Sequence, residues 1–179
     1  MLARKFRYEC RVQSTDAQIR RLTAEDVFAY RECRLEALRS NPEAFGSTYE
    51  GELPQMLDWF AERMRNSNMF GALRGSELLG IAGLLVGKGQ KEAHKGMLVS
   101  MYVRPAERKT GLGRRLVETI VEFARPRVEL IQLSVVSENE AAIRLYRDLG
   151  FAEWGREKKA LKQNGRYYDE IWMARDLTT

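Results

Sequence analysis

The sequence predicts an α+β fold, with a mixed sheet of about seven strands flanked by about four helices. Three observations carry that reading. Short apolar runs of strand length alternate with segments whose apolar residues recur every three or four positions. One stretch, Val99 to Phe123, reads in succession as a strand, a tight basic loop and a helix. Near the end, Asn164-Gly165 separates two long runs and is the strongest short hairpin signal in the chain.

Taken in order, Met1 to Asp16 is rich in arginine and lysine and holds no apolar core of signal-peptide length, so it is expected to be a flexible basic segment. A single domain is expected over residues 17–177. Ala17 to Leu22 reads as a strand. Thr23, three positions before Asp26, starts a helix through about Arg39 in a variant of the capping-box spacing, and Asn41-Pro42 ends it. Glu43 to Leu53 reads as a polar loop, and Pro54 as the first turn of a second helix to about Asn66. Asn68 to Arg74 and Glu77 to Lys88 form a hairpin about Gly75-Ser76, with Gly80 and Gly83 hinting at a bend. Met97 to Val103 is the strand that feeds the basic loop. The helix after it has its apolar face at Leu112, Leu116, Val117, Ile120, Phe123 and Ala124, and Pro126 ends it. Val128 to Val136 is a buried strand. Ser137 and Glu140 match a capping box, which puts Asn139 in a first helical turn, and Gly150 closes that helix. Phe151 to Lys162 and Arg166 to Arg175 complete the sheet.

Composition narrows the function classes. With 44% hydrophobic and 31% charged residues, the 179-residue chain suits one well-filled domain. No apolar run approaches the ~20 residues of a membrane-spanning helix. Cys10 and Cys33 lack redox or metal spacing, which is the pattern of free thiols in a reducing compartment, and the single His94 rules out a multi-histidine metal site. A net charge of +5 suits an anionic ligand. Nucleic acid is the weaker reading, because the charge is spread along the chain and no zinc-finger or aromatic RNA-binding signature occurs.

The basic loop has the chemistry of an anion site. Arg108, Gly111 and Gly113 are spaced R-x-x-G-x-G immediately before a helix. A helix start leaves amides without partners and concentrates the positive end of the dipole, while glycines let a phosphate approach the backbone. Arg108, Lys109, Arg114 and Arg115 add full charges. No Gly-Lys-Ser/Thr triplet closes the loop, so it is not a P-loop.

A second segment, Leu133 to Phe151, makes the pattern specific. Val103, Pro105, Arg108, Gly111 and Gly113 match V-x-P-x-x-R-x-x-G-x-G. Asn139, Ala142, Leu145, Tyr146, Gly150 and Phe151 match N-x-x-A-x-x-L-Y-x-x-x-G-F. With both motifs in order, the sequence resembles the GNAT superfamily of N-acyltransferases that use acetyl-coenzyme A. The resemblance implies a sheet splayed between its fourth and fifth strands, with Met101 and Val103 on the exposed edge that pairs with pantetheine. It also implies acetyl-CoA as cosubstrate, no metal, and a cofactor site built from Met101, Val103, Arg108, Lys109, Thr110, Gly111, Leu112, Gly113, Arg114, Asn139 and Tyr146. Tyr146 is the family-matched catalytic acid, donating to the departing thiolate. Lys109 departs from the pattern, standing where glycine is common, and no carboxylate lies on the strand before the loop. The base therefore stays open among His94, Ser100, Tyr102, Glu50, Glu52, Asp169, Glu170 and water.

The expected function is transfer of an acetyl group from acetyl-CoA to a primary amine by direct attack in a ternary complex. The acceptor is a small molecule or a protein N-terminus. A non-catalytic acyl-CoA-binding sensor and a basic nucleic-acid-binding module are the competing classes. No membrane partner is expected, the expected compartment is the cytoplasm, and pairing of two copies through the last strands fits the pattern.

Overall fold

Seven strands among the described residues form one sheet in the order β1-β2-β3-β4-β5-β7-β6. They are β1 (Gln18–Arg21), β2 (Phe70–Arg74), β3 (Glu77–Val86), β4 (Lys95–Val103), β5 (Leu130–Val136), β6 (Ala152–Gln163) and β7 (Arg166–Asp176). The helices are α1 (Val27–Ser40), α2 (Tyr49–Glu52), α3 (Leu57–Asn66), α4 (Leu112–Ala124) and α5 (Glu140–Asp148). This computed structural model describes residues 16–178, so the expected basic segment, Asp16 excepted, and Cys10 lie outside the described residues. Among the described residues no helix is long and apolar enough to cross a membrane.

Among the described residues only β4 and β5 pair in parallel, and α4 is the crossover between them. Its apolar stripe, Leu116, Val117, Ile120 and Val121, is almost fully buried in a cluster that includes Leu79 and Leu84 on one side of the junction and Ile131 and Leu133 on the other. Each such side chain contributes about 1.5–3 kcal/mol by leaving water. A second cluster on the opposite face joins Tyr30, Cys33 and Ala37 of α1 and Phe60 and Met64 of α3 to Ile81 and Tyr102.

Two local signals resolve differently from the sequence expectation. Pro54 does not start α3. Thr48 caps the one-turn helix α2 through Gly51 (3.1 Å), and Pro54, which has no N–H to satisfy, sits in the turn after it, so α3 begins at Leu57. Likewise Ser137 and Glu140 do not cap α5. Asn139 is the cap itself, its Oδ1 accepting from the Ala142 N–H at 3.2 Å, while the Ser137 N–H is taken by the Asp169 carbonyl at 2.9 Å. The nearer cap wins because its oxygen already faces the first free amides. In contrast, the Thr23–Asp26 signal forms as expected, with the Thr23 N–H donating to Asp26 at 2.8 Å, although the chain takes a short 3-10 turn before α1 proper.

Candidate active site

The site starts from an irregularity in β4. Ile81 lies opposite Tyr102 and Gly83 opposite Val99, so Ser100 and Met101 together face the single residue Ala82. Ser100 accommodates the extra residue at φ 56, a left-handed conformation costly for a side-chain-bearing residue. A bulge of this kind leaves backbone polar groups out of the ladder and bends the strand. β4 pairs with β5 only through Lys95–Leu130, Gly96–Ile131 and Met97–Gln132. Beyond that point the strands part.

The gap is a cavity of about 430 Å³ whose walls include Val99, Ser100 and Met101 from β4, Ser134 and Val136 from β5, and Tyr146 from α5. It shares Met101, Val136 and Asn139 with an outer groove of about 780 Å³ that reaches Val103, Arg108, Lys109 and Gly113. The groove therefore leads to the start of α4. There Gly111 takes φ 87 as the residue before the helix, and the first intrahelical bond is Arg115 N–H to Gly111 carbonyl at 3.1 Å. The Leu112, Gly113 and Arg114 amides precede that bond, and no side chain caps them. A Cβ on Gly113 would meet Met101 Cε at 3.3 Å, so this glycine lies against the open edge of β4.

The expected site residues divide by what their side chains do. Met101, Val103, Gly113, Asn139 and Tyr146 line the connected spaces. Lys109 is exposed on the groove at φ 64, so a lysine holds the conformation a glycine would take at lower cost. Arg108 frames the corner, with Nε donating to the Val103 carbonyl (3.0 Å) and Nη2 to Asn41 Oδ1 (3.0 Å). Thr110 is exposed, its hydroxyl donating to the Glu107 carbonyl (2.8 Å), and the Leu112 side chain is buried in the core. Arg114 and Arg115 leave the groove, Arg114 pairing with Asp148 and Arg115 with Asp16, so Arg114 offers the site its backbone.

Tyr146 is buried, its ring edge-on to Phe151 at 5.8 Å, and burial alone pushes the phenol's pKa up. It holds its proton at neutral pH and can give it up only to a strong acceptor. Tyr102, also pushed up to about 12 by burial, instead donates to Glu36 at 2.9 Å.

The base candidates separate cleanly. His94 is exposed at the far end of β4, ~20 Å from Ser100 at strand rise. Glu52, expected in a polar loop, is buried and held by Arg34 through bonds of 2.8 and 3.0 Å. Burial raises its pKa, but the Arg34 hydrogen bond and charge, with Arg63 and Ser47, outweigh that and hold it low. Asp169 is tied to Arg156 and the Lys159 N–H. Glu50 is exposed outside the cavity. Glu170 alone of these carboxylates lines the cavity. Burial pushes its pKa up, the Ser134 hydroxyl restrains part of the rise, and Glu157 across the strand pair adds to it.

A parted β4–β5 pair with a glycine-started helix at its mouth fits a long anionic thioester cofactor, and residues 19–172 match the acetyltransferase (GNAT) domain family. The chain belongs to the GNAT superfamily. It is 32% identical to the N-alpha-acetyltransferase RimI of Mycobacterium tuberculosis over 62% of this chain and 67% of that protein. It is 33% identical to an L-methionine sulfoximine/L-methionine sulfone acetyltransferase of Salmonella typhimurium over 44% of this chain, a stretch spanning 46% of that relative. The yncA structure of Salmonella typhimurium, solved with its cofactor acetyl-CoA, superposes with a TM-score of 0.75 at 22% identity, covering 91% of this chain and 95% of the other. As a GNAT member the chain is an acyltransferase with acetyl-CoA as cosubstrate, and the uncapped amides at the start of α4 fit its diphosphate.

Proposed function

We propose that this enzyme acetylates a primary amine by direct attack within a ternary complex, with Tyr146 as general acid and Glu170 as general base. The observation that carries the reading is that one cavity, between the parted strands, is walled by both a proton-holding phenol and a half-buried carboxyl with a raised pKa. Two titratable groups in one site pushed into complementary protonation states are what acid–base catalysis requires.

When bound, acetyl-CoA supplies an activated acetyl group and a thiolate leaving group. The residues of the chain do the rest. The Leu112, Gly113 and Arg114 amides hold the diphosphate, with Lys109 adding charge. Backbone N–H groups of the Met101 to Val103 edge, freed near the bulge, donate to the carbonyl oxygen as charge grows there. Glu170 removes a proton from the arriving ammonium, and Tyr146 protonates the sulfur. Cys33, on the core face of α1 with its thiol pushed up to about 12 by burial, is not poised to carry the acetyl group.

The test is thiol release from acetyl-CoA across a panel of amines, with acetyl-CoA affinity measured separately by calorimetry. Amine-dependent release supports the reading. Tight binding without release from any amine would make the chain an acyl-CoA sensor.

A further inference from the structure

Behind the gap, charge and countercharge do not match. Arg34 of α1 is buried, with only 2% of its side chain exposed, and binds both oxygens of Glu52. That fork occupies the carboxylate. Arg63 of α3 reaches the same Glu52 oxygen only at 3.8 Å, and its Nε is buried without a hydrogen-bond partner. Two guanidinium groups therefore share one carboxylate.

Arg63 is also held in place for binding. It stacks on Trp59 at 5.4 Å and borders both the cavity of the gap and an adjoining space of about 400 Å³ walled by Trp59, Leu85 and Val99. The carboxylates facing these spaces are Glu170, on the β7 wall, and Glu62, exposed at the outer rim, while Arg34 and the Tyr146 phenol also line the gap cavity. Neither carboxylate forms an ion pair with Arg63. Tyr30, the buried neighbour beneath, sets its hydroxyl beside the Arg63 guanidinium, a polar contact that supplies no countercharge.

Resting on the transferase reading above, we infer that Arg63 receives the carboxylate of the acceptor, which makes the acceptor a free α-amino acid with an apolar side chain. In such a molecule the carboxylate carbon is two bonds from the reacting nitrogen, so one cavity that is lined by both Arg63 and Glu170 can receive both groups. The planar fork of arginine matches a carboxylate, and Trp59, Leu85 and Val99 offer apolar surface to the side chain. The surplus positive charge also selects. A polyamine entering the cavity meets like charge, and a peptide N-terminus brings an amide where Arg63 wants an anion.

The experiment compares kcat/KM for L-leucine and L-phenylalanine with L-leucinamide, phenylethylamine, spermidine and a leucine-started tetrapeptide, using the full chain and thiol release. The free acids are expected to exceed the amide and the decarboxylated amine by ~10–100-fold, mainly through KM, the usual scale of a charge-assisted hydrogen bond. Arg63→Gln is expected to collapse the acid-to-amide ratio toward one, and Arg63→Lys to restore part of it. Amides, spermidine or the tetrapeptide matching the acids in the wild-type chain would overturn the assignment, as would an intact ratio in folded Arg63→Gln. If that variant does not fold, the wild-type panel decides alone. Release from amides but not acids overturns only the acceptor class, whereas acetyl-CoA binding without release from any amine overturns the transferase reading and this inference with it.

Discussion

The two flanks of β5 are built from the same residues and behave in opposite ways. Against β7 it is paired without interruption from Leu130–Asp176 to Val136–Glu170. Against β4 it is paired only at Leu130, Ile131 and Gln132. The opening cannot come from β5, whose sequence and conformation serve both sides. It comes from β4, where the bulge at Ser100 turns the strand away. One flank is spent on stability and the other is left for ligands, so substitutions on each should separate the two properties.

The largest effect is expected at the end of β7 that meets the gap. Glu170→Gln should lower kcat/KM by ~10³-fold, within the range of a lost general base. Because burial raises the Glu170 pKa, wild-type activity should rise with pH through a value above the ordinary carboxylate range, and the variant should lose that limb. The sign for stability is opposite. A carboxyl whose folded pKa is raised disfavours folding once it is ionised, so the variant should be slightly more stable at neutral pH, with the gain fading as both states become protonated in acid. A flat acid limb in the wild-type profile would remove Glu170 from the base role.

On the sealed flank, Met173→Ala should cost about 3 kcal/mol in chemical denaturation, since Met173 is fully buried opposite Leu133. Acetyl-CoA affinity of the folded fraction should stay unchanged, and a large loss of affinity would erase the distinction between the flanks. Gly113→Leu should do the reverse. A side chain there projects toward Met101 and Val103 at the open edge, so affinity should fall at least ~30-fold while the melting midpoint moves little. The smallest effect is expected from Tyr146→Phe, which leaves the packing against Phe151 and removes one proton donor. A drop in kcat of ~10–30-fold with unaltered acetyl-CoA affinity is the expected result, and an unaltered rate would leave the phenol a core residue only.

How far the sequence could be read depended on how local each cause was. The α4 stripe, the Gly111 and Gly113 spacing and the Asn164-Gly165 turn are settled within a few residues, and all appear where their patterns place them. Gly80 and Gly83 hinted at a bend in their own strand, whereas the β3–β4 register shift between Ile81 and Gly83 puts the extra residue on β4. The left-handed Ser100 was invisible, because a single serine inside the apolar run Met97 to Val103 gives no glycine or asparagine signal for that conformation. Glu52 looked like a loop carboxylate because its burial depends on Arg34, 18 positions away on another helix. Arg63 went unnoticed in the sequence, because it meets the cavity only where α3 comes beside Val99 and Ser100 of β4. Glu170 stood among several carboxylates until the fold tied Asp169 to Arg156 and left Glu170 at the gap.

Because just three residue pairs stitch β4 to β5, the backbone seam between strands β1–β4 and strands β5–β7 is short. What welds the two blocks is α4, whose buried stripe grips both. The same rod whose tip carries the uncapped amides is thus the splint between two half-sheets.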